Sequence, residues 1–237
     1  MLVKYKAILF DLDGTLLPMD QEIFIKAYFS GLAKKLAPLG YEPEKLIKAI
    51  WTGTGAMVKN DGKSTNEEMF WQSFAGMFGA DARKDEPVFA AFYADEFQRV
   101  QESCGFDPKA RETIDAIKAL GLRVILATNP IFPAIATESR MRWAGLDKAA
   151  FELYTTYENS SFCKPNPAYY QQILEKIGLQ AEECLMVGND VTEDGAAEKL
   201  GMDVFFLPKC LINKENRDIS AYPQGDLDDL LAFIKQS

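Results

Sequence analysis

Two carboxylates, Asp11 and Asp13, close the short apolar run Lys6-Ala-Ile-Leu-Phe-Asp11-Leu-Asp13-Gly14-Thr15 near the start of the chain. The run Ala7 to Phe10 predicts a buried strand, and open α/β sheets place their ligands at the carboxyl ends of such strands. The spacing aims both carboxylates at one pocket, while Gly14 permits a sharp turn and Thr15 offers a cap. Asp11 is therefore placed to act as a nucleophile.

Three further polar clusters follow strand-like runs. Thr128-Asn129 comes directly after Val124-Ile125-Leu126-Ala127 and supplies a hydroxyl and an amide as phosphate-oxygen donors, although such a pair also serves as a turn or cap. Lys164 stands in Cys163-Lys164-Pro165-Asn166-Pro167, where two prolines make it a pre-positioned cation rather than one more surface lysine. The segment Leu185-Met186-Val187-Gly188-Asn189-Asp190-Val191-Thr192-Glu193-Asp194 brings a second acidic cluster. Asp190 and Asp194 are four apart and share a face if the turn runs into a helix; the bland reading is an acidic helix start favoured by the dipole. All four clusters at strand ends together argue for one site.

The elements that must position these residues alternate apolar strand-like runs with amphipathic helices. Strands are expected at Ala7 to Phe10, Arg123 to Ala127, Cys184 to Val187 and Val204 to Leu207, with a weaker one at Phe151 to Thr156. Helices are expected at about Lys109 to Leu120, Pro133 to Ala144, Pro167 to Ile177, Glu193 to Leu200 and Leu227 to Lys235, with Gly121, Gly145, Gly178 and Gly201 near their ends. The pattern predicts a Rossmann-like, doubly wound parallel sheet. Too much chain lies between the first strand and the second for a single crossover, so residues 18–104 read as an inserted all-helical cap and residues 1–17 and 105–237 as the catalytic core. The insertion reads as a four-helix bundle: Gln21 to Leu36, Pro43 to Val58, Asn66 to Phe78 and Pro87 to Ser103. Gly105-Phe106-Asp107-Pro108 is the hinge candidate.

Composition narrows the function classes. With 237 residues and 48% hydrophobic content, the chain can bury a large core. Its net charge of −9 argues against nucleic acid or an anionic membrane surface as partner. There is no histidine, which removes Ser-His-Asp triads and every His-ligated metal site. The four cysteines, Cys104, Cys163, Cys184 and Cys210, contain no C-x-x-C pair and suggest thiols in a reducing compartment. With no signal peptide or spanning segment apparent, a cytoplasmic location is the expectation.

With these residues in order, the chain resembles the haloacid dehalogenase (HAD) superfamily, phosphatase type, with a helical cap of the C1 kind. The resemblance covers essentially the whole chain: Asp11-Leu12-Asp13-Gly14-Thr15, then Thr128-Asn129, then Lys164, then the Asp190/Asp194 cluster. It implies that Asp11 attacks phosphorus to form an aspartyl-phosphate, that Asp13 serves as general acid and base, and that Thr128, Asn129 and Lys164 hold the phosphoryl oxygens. Four carboxylates around a dianionic phosphate call for a divalent cation, and Mg²⁺ is the oxygen-loving choice. The implied ligands are Asp11, the main-chain carbonyl of Asp13, and Asp190, with Asp194 direct or through water. Many relatives read Gly-Asp where this chain reads Gly188-Asn189-Asp190, so two alignments stand: Asp190 as the ligand, which is favoured, or Asn189 in that place with Asp194 compensating. A dehalogenase or phosphonatase would not need Asp13. The expected substrate is a small phosphorylated metabolite. A sugar phosphomutase would keep every motif, and a non-catalytic phosphate-binding or regulatory protein is the reading from a different class. Trp51 to Gly55 and Lys59 to Lys63 are candidate cap loops, with Lys59 or Lys63 available to an anionic substrate group. Oligomeric state is left open.

Overall fold

The computed structural model describes residues 4–237. Five parallel strands form one sheet in the order β3-β2-β1-β4-β5, with β1 (Ala7–Phe10) at its centre, β2 (Arg123–Leu126) and β3 (Leu153–Tyr154) on one side, and β4 (Cys184–Gly188) and β5 (Asp203–Phe206) on the other. Register aligns Phe10 with Leu126 and with Val187, so the three central strands end level with one another. Alternation with a period of two splits each strand between two cores. Ile8, Phe10, Val124, Leu126, Leu185, Val187 and Phe205 face one; Ala7, Leu9, Ile125, Met186, Val204 and Phe206 face the other. Both faces are covered, as an all-parallel sheet requires.

Between β1 and β2 lie the helical cap and its return. Helix α1 (Gln21–Leu36) starts at Asp20, whose carboxylate accepts from the Glu22 and Ile23 amides. Helix α2 (Pro43–Val58) begins on proline, and α3 (Asn66–Phe78) on a capping box of Thr65 and Glu68. Helix α4 (Glu86–Ala94) ends earlier than its apolar spacing predicts, and Glu96–Ser103 continues as a 3₁₀ stretch. The break has a cause: the Gln98 side chain donates to the Tyr93 carbonyl at 2.8 Å, taking the acceptor a continuing helix needs, and Asp95 departs to φ −119°, ψ −82°. At the neck, Met19 bridges Cys104 and the Gly105 amide donates to the Pro18 carbonyl at 2.7 Å.

Helices α5 (Lys109–Ala119), α6 (Ala134–Trp143), α7 (Pro167–Ile177) and α8 (Leu227–Gln236) complete the core. Helices α5, α6 and α8 pack into the core of Ile8 and Phe10, and α7 into that of Leu9 and Met186. The helix expected from Glu193 is instead a six-residue 3₁₀ turn, Gly195–Leu200. The residues before it are spent on a turn: Asp190 Oδ1 accepts from the Thr192 and Glu193 amides, and its carbonyl accepts from the Asp194 amide. The expected strand at Phe151 to Thr156 shrinks to Leu153–Tyr154, although Glu152 and Thr155 also donate to β2.

Candidate active site

The level ends of β2, β1 and β4 bring the four sequence clusters to one edge. Asp11 directly follows β1 and is held there by its amide, which donates to the Val187 carbonyl at 2.9 Å. The turn after it depends on Gly14, at φ +88°, where a Cβ would fall 2.4 Å from Asn189 Nδ2. Glycine thus satisfies the left-handed backbone and lets the loop after β4 lie directly on the loop after β1. Thr15 joins the two: its hydroxyl lies 2.9 Å from Asn189 Oδ1 and 3.3 Å from Asp11 Oδ2.

Lys164 is fully buried between two carboxylates, with Nζ 2.9 Å from Asp11 Oδ1 and 2.6 Å from Asp194 Oδ1. Burial alone would lower its pKa, but Asp11 and Asp194 outweigh it and hold the ammonium well above the usual lysine range. Asp194 spends its other oxygen on the Asp190 amide at 2.8 Å. Burial raises the Asp194 carboxyl above the usual carboxylate range, and the Lys164 ammonium in contact with it opposes that rise. Its carboxylate reaches this place because residue 188 is glycine: a Cβ there would stand 2.0 Å from Asp194 Oδ2.

Asp13 is treated differently. Its Oδ2 ion-pairs with the Arg140 guanidinium on α6, while Oδ1 is buried with no hydrogen-bond partner. Burial, opposed by Arg140 and reinforced by Asp11, pushes its pKa up to about 6, where a carboxyl can both give and take a proton near neutrality. Arg140 is itself buried, and its guanidinium lies 4.4 Å from the centre of the Phe132 ring.

Thr128 and Asn129 follow β2. The Thr128 carbonyl accepts from Thr155 Oγ1 at 2.6 Å and Tyr169 Oη at 2.8 Å, fixing the residue, while its hydroxyl makes no hydrogen bond to a described residue. Asn129 Nδ2 donates to Glu193 Oε2 at 3.0 Å, and Asn129 Oδ1 is buried and unpartnered. Burial, only partly offset by Lys164, pushes Glu193 up to about 8.

Arg140 and Glu193 are the site residues the sequence reading did not single out. Glu193 lay inside the quoted acidic cluster. Arg140 gave no signal, because Ala134–Trp143 mixes Thr137, Glu138, Ser139 and Arg140 into the helix without an apolar period.

A divalent cation suits this donor set. Four carboxylates (Asp11, Asp13, Asp190, Asp194), with the Glu193 carboxyl beside them, meet two cations (Lys164, Arg140), and the atoms left over are hard oxygens. Asp11 Oδ2 has only the long contact to Thr15, and Asp190 keeps Oδ2 free while Oδ1 caps its turn. Asp194, with both oxygens engaged, orients Lys164 and the turn. Asn189 offers a single neutral oxygen, already accepting from Thr15, while its Nδ2 donates to the Cys210 carbonyl at 2.7 Å. Among the described residues, no group of three His, Cys, Asp or Glu side chains is already gathered as a metal cage.

Beside these residues opens a cavity of about 390 Å³ between core and cap, touched by Asp11, Asp13, Thr128, Asn129, Asn189, Asp190, Glu193 and Asp194. Trp51 lines it from helix α2 rather than from a loop, while Lys59 and Lys63 do not reach it. Lys63 instead pairs with Asp61 in solvent.

Residues 5–201 match the family model described as a haloacid dehalogenase-like hydrolase. The chain belongs to that family, and its relatives make it a phosphatase-like hydrolase. A phosphoglycolate phosphatase from Colwellia psychrerythraea is 25% identical over 198 residues, covering 84% of this chain and 82% of its own. A predicted phosphoglycolate phosphatase from Haemophilus somnus shares the fold with a TM-score of 0.59 at 20% identity, over 98% of this chain and 99% of its own. The Bacillus subtilis HAD-hydrolase YfnB, solved bound to magnesium, superposes with a TM-score of 0.57 at 20% identity, over 98% and 99% of the two chains.

Proposed function

We propose that this protein is a Mg²⁺-dependent phosphomonoester hydrolase acting on a small phosphorylated molecule through an aspartyl-phosphate on Asp11. One observation carries the reading: each of the two first-loop carboxylates has one oxygen held by a buried cation, Asp11 by Lys164 and Asp13 by Arg140, and the other oxygen left for chemistry. The Asp11 carboxylate attacks phosphorus as the ester P–O bond breaks, and Asp13 gives its proton to the departing oxygen. Water then attacks the phosphorus of the aspartyl-phosphate, Asp13 takes the water's proton, and the bond to Asp11 breaks to restore the carboxylate. Lys164, the Thr128 hydroxyl and the Asn129 amide bind phosphoryl oxygens and fix them in line. Mg²⁺ held by Asp11, the Asp13 carbonyl and Asp190 would neutralise phosphate charge. The reducing character suggested by four free cysteines favours a cytoplasmic setting, and among the described residues no helix is long and apolar enough to cross a membrane.

Phosphate release from a panel of phosphomonoesters, with and without Mg²⁺, tests the proposal alongside Asp11→Asn. Metal-dependent release abolished by Asp11→Asn is expected; release that survives the substitution in contaminant-free protein overturns it.

A further inference from the structure

The cap wall of the cavity carries no charge. From residues 18–104 its lining includes Phe24, Phe29, Trp51, Phe70, Trp71 and Phe89, and neither a lysine, an arginine nor an acidic residue. The sole lysine on the lining, Lys214, is solvent-exposed and comes from the core. A substrate with a carboxylate or a second phosphate turned to the cap would place that charge against aromatic rings with no cation on that wall to meet it, and an uncompensated charge in an apolar surrounding is strongly disfavoured. The size, about 390 Å³, falls within the range of roughly 300–1,000 Å³ that holds small organic ligands.

The polar side chains on this wall, Gln21, Tyr28, Thr54, Trp71 and Tyr93, are all neutral, and Thr54 Oγ1 is spent on the Ile50 carbonyl at 2.9 Å. The Tyr28 and Tyr93 hydroxyls lie 2.9 Å apart and largely satisfy each other. Trp71 Nε1 is buried out of reach of solvent, beside the Tyr157 hydroxyl, so Trp71 offers the cavity its ring and not its N–H. Phe29 and Trp51, 5.6 Å apart between centroids, form the outer part of that wall, with Trp51 49% exposed. Flat rings tilted against one another suit an aromatic guest better than a hydrated, many-hydroxyl one.

We propose that the substrate is an aryl phosphomonoester, a phosphate on an uncharged aromatic alcohol, with its ring seated among the cap aromatics. This rests on the phosphatase reading above and sets its specificity apart from that of the phosphoglycolate phosphatases the chain resembles in sequence. The same wall disfavours a sugar phosphomutase, whose substrate carries hydroxyls throughout.

The test compares kcat/KM for 1-naphthyl phosphate and 2-phosphoglycolate with the full-length protein in Mg²⁺, wild type and Trp51→Ala. Trp51 is half-exposed, so its truncation spares the core. A preference of at least about tenfold for the naphthyl ester is expected, the scale on which small apolar differences are discriminated. Trp51→Ala should reduce that preference chiefly by raising KM for the naphthyl ester. Equal or better turnover of phosphoglycolate overturns the aryl assignment while leaving the phosphatase reading intact. If neither ester is cleaved, the phosphatase reading is the part that fails. Tryptophan fluorescence titration with intact 1-naphthyl phosphate then decides the aryl site: saturable binding weakened by Trp51→Ala sustains it, and no binding removes it.

Discussion

Arg140 on α6 ion-pairs with Asp13 on the loop after β1, so the proposed acid–base carboxylate is restrained by a buried cation from an element 127 positions away in sequence. The pairing leaves one Asp13 oxygen uncommitted and tempers the upward pull of burial on the carboxyl. Arg140 is thus a positioning residue for the proton step.

Arg140→Met should raise the pKa of Asp13, because the opposing positive charge is gone. The acid form then persists to higher pH, so the basic limb of the kcat/KM profile moves upward. Removing one partner of a buried ion pair typically costs about 3–5 kcal/mol, and a loss on that scale is expected at neutral pH, shrinking as Asp13 becomes protonated. Arg140→Lys should restore charge but not the planar contact with Phe132. Profiles measured from pH 5 to 9, with chemical denaturation at each end, check both statements; an unmoved basic limb refutes the positioning role.

Glu193 predicts a pH dependence of stability in metal-free protein. Its folded pKa of about 8 lies above the ordinary 4.5, so the folded state retains a proton that the unfolded chain gives up. That contribution is fully present below pH 4.5 and is lost as pH rises through 8. Glu193→Gln keeps an acceptor for Asn129 and removes the titration. With a chelator present, the Tm of the variant relative to wild type should therefore climb between pH 5 and 8. Parallel curves would show that Glu193 is not held protonated.

Gly14→Ala should damage both stability and turnover, since it forces a left-handed backbone and crowds Asn189. The backbone strain alone is worth about 1–2 kcal/mol. Gly40→Ala is the matched control, with φ +84° and nothing within 4 Å of the added carbon. A larger loss of Tm in Gly14→Ala than in Gly40→Ala, with kcat/KM reduced only in Gly14→Ala, would isolate the contact between the two loops.

Much of this site was legible in the sequence because the fold brings it together through strand ends. Asp11, Thr128, Lys164 and Asp190 each sit within a few residues of an apolar run or a proline-marked helix start, and the sheet converts that local placement into proximity. Helices α1, α2, α3 and α7 were equally legible from their caps, prolines and apolar period. Arg140 was not, because its importance lies in a partner across the fold rather than in its neighbours. Nor was the end of α4, where no glycine or proline stands and the stop comes from a glutamine four residues beyond the helix. The mutual position of Asp190 and Asp194 was also hidden: the expected helix would have put them on one face, whereas the turn gives one a capping role and the other to Lys164.

Asn66, the first residue of α3, has a consequence for how such proteins diversify. Its Nδ2 lies within 3.2–3.3 Å of the Pro130 carbonyl, the Phe162 carbonyl and Cys163 Sγ. Its amide donates to the Ser160 carbonyl, and the next amide to that of Tyr157. The cap is therefore stitched to the same segment that delivers Lys164. A cap exchanged without these stitches would loosen the segment that carries Lys164, so a working chimaera must carry residues 60–66 and 157–163 as a matched pair; specificity and the lysine's footing are inherited together.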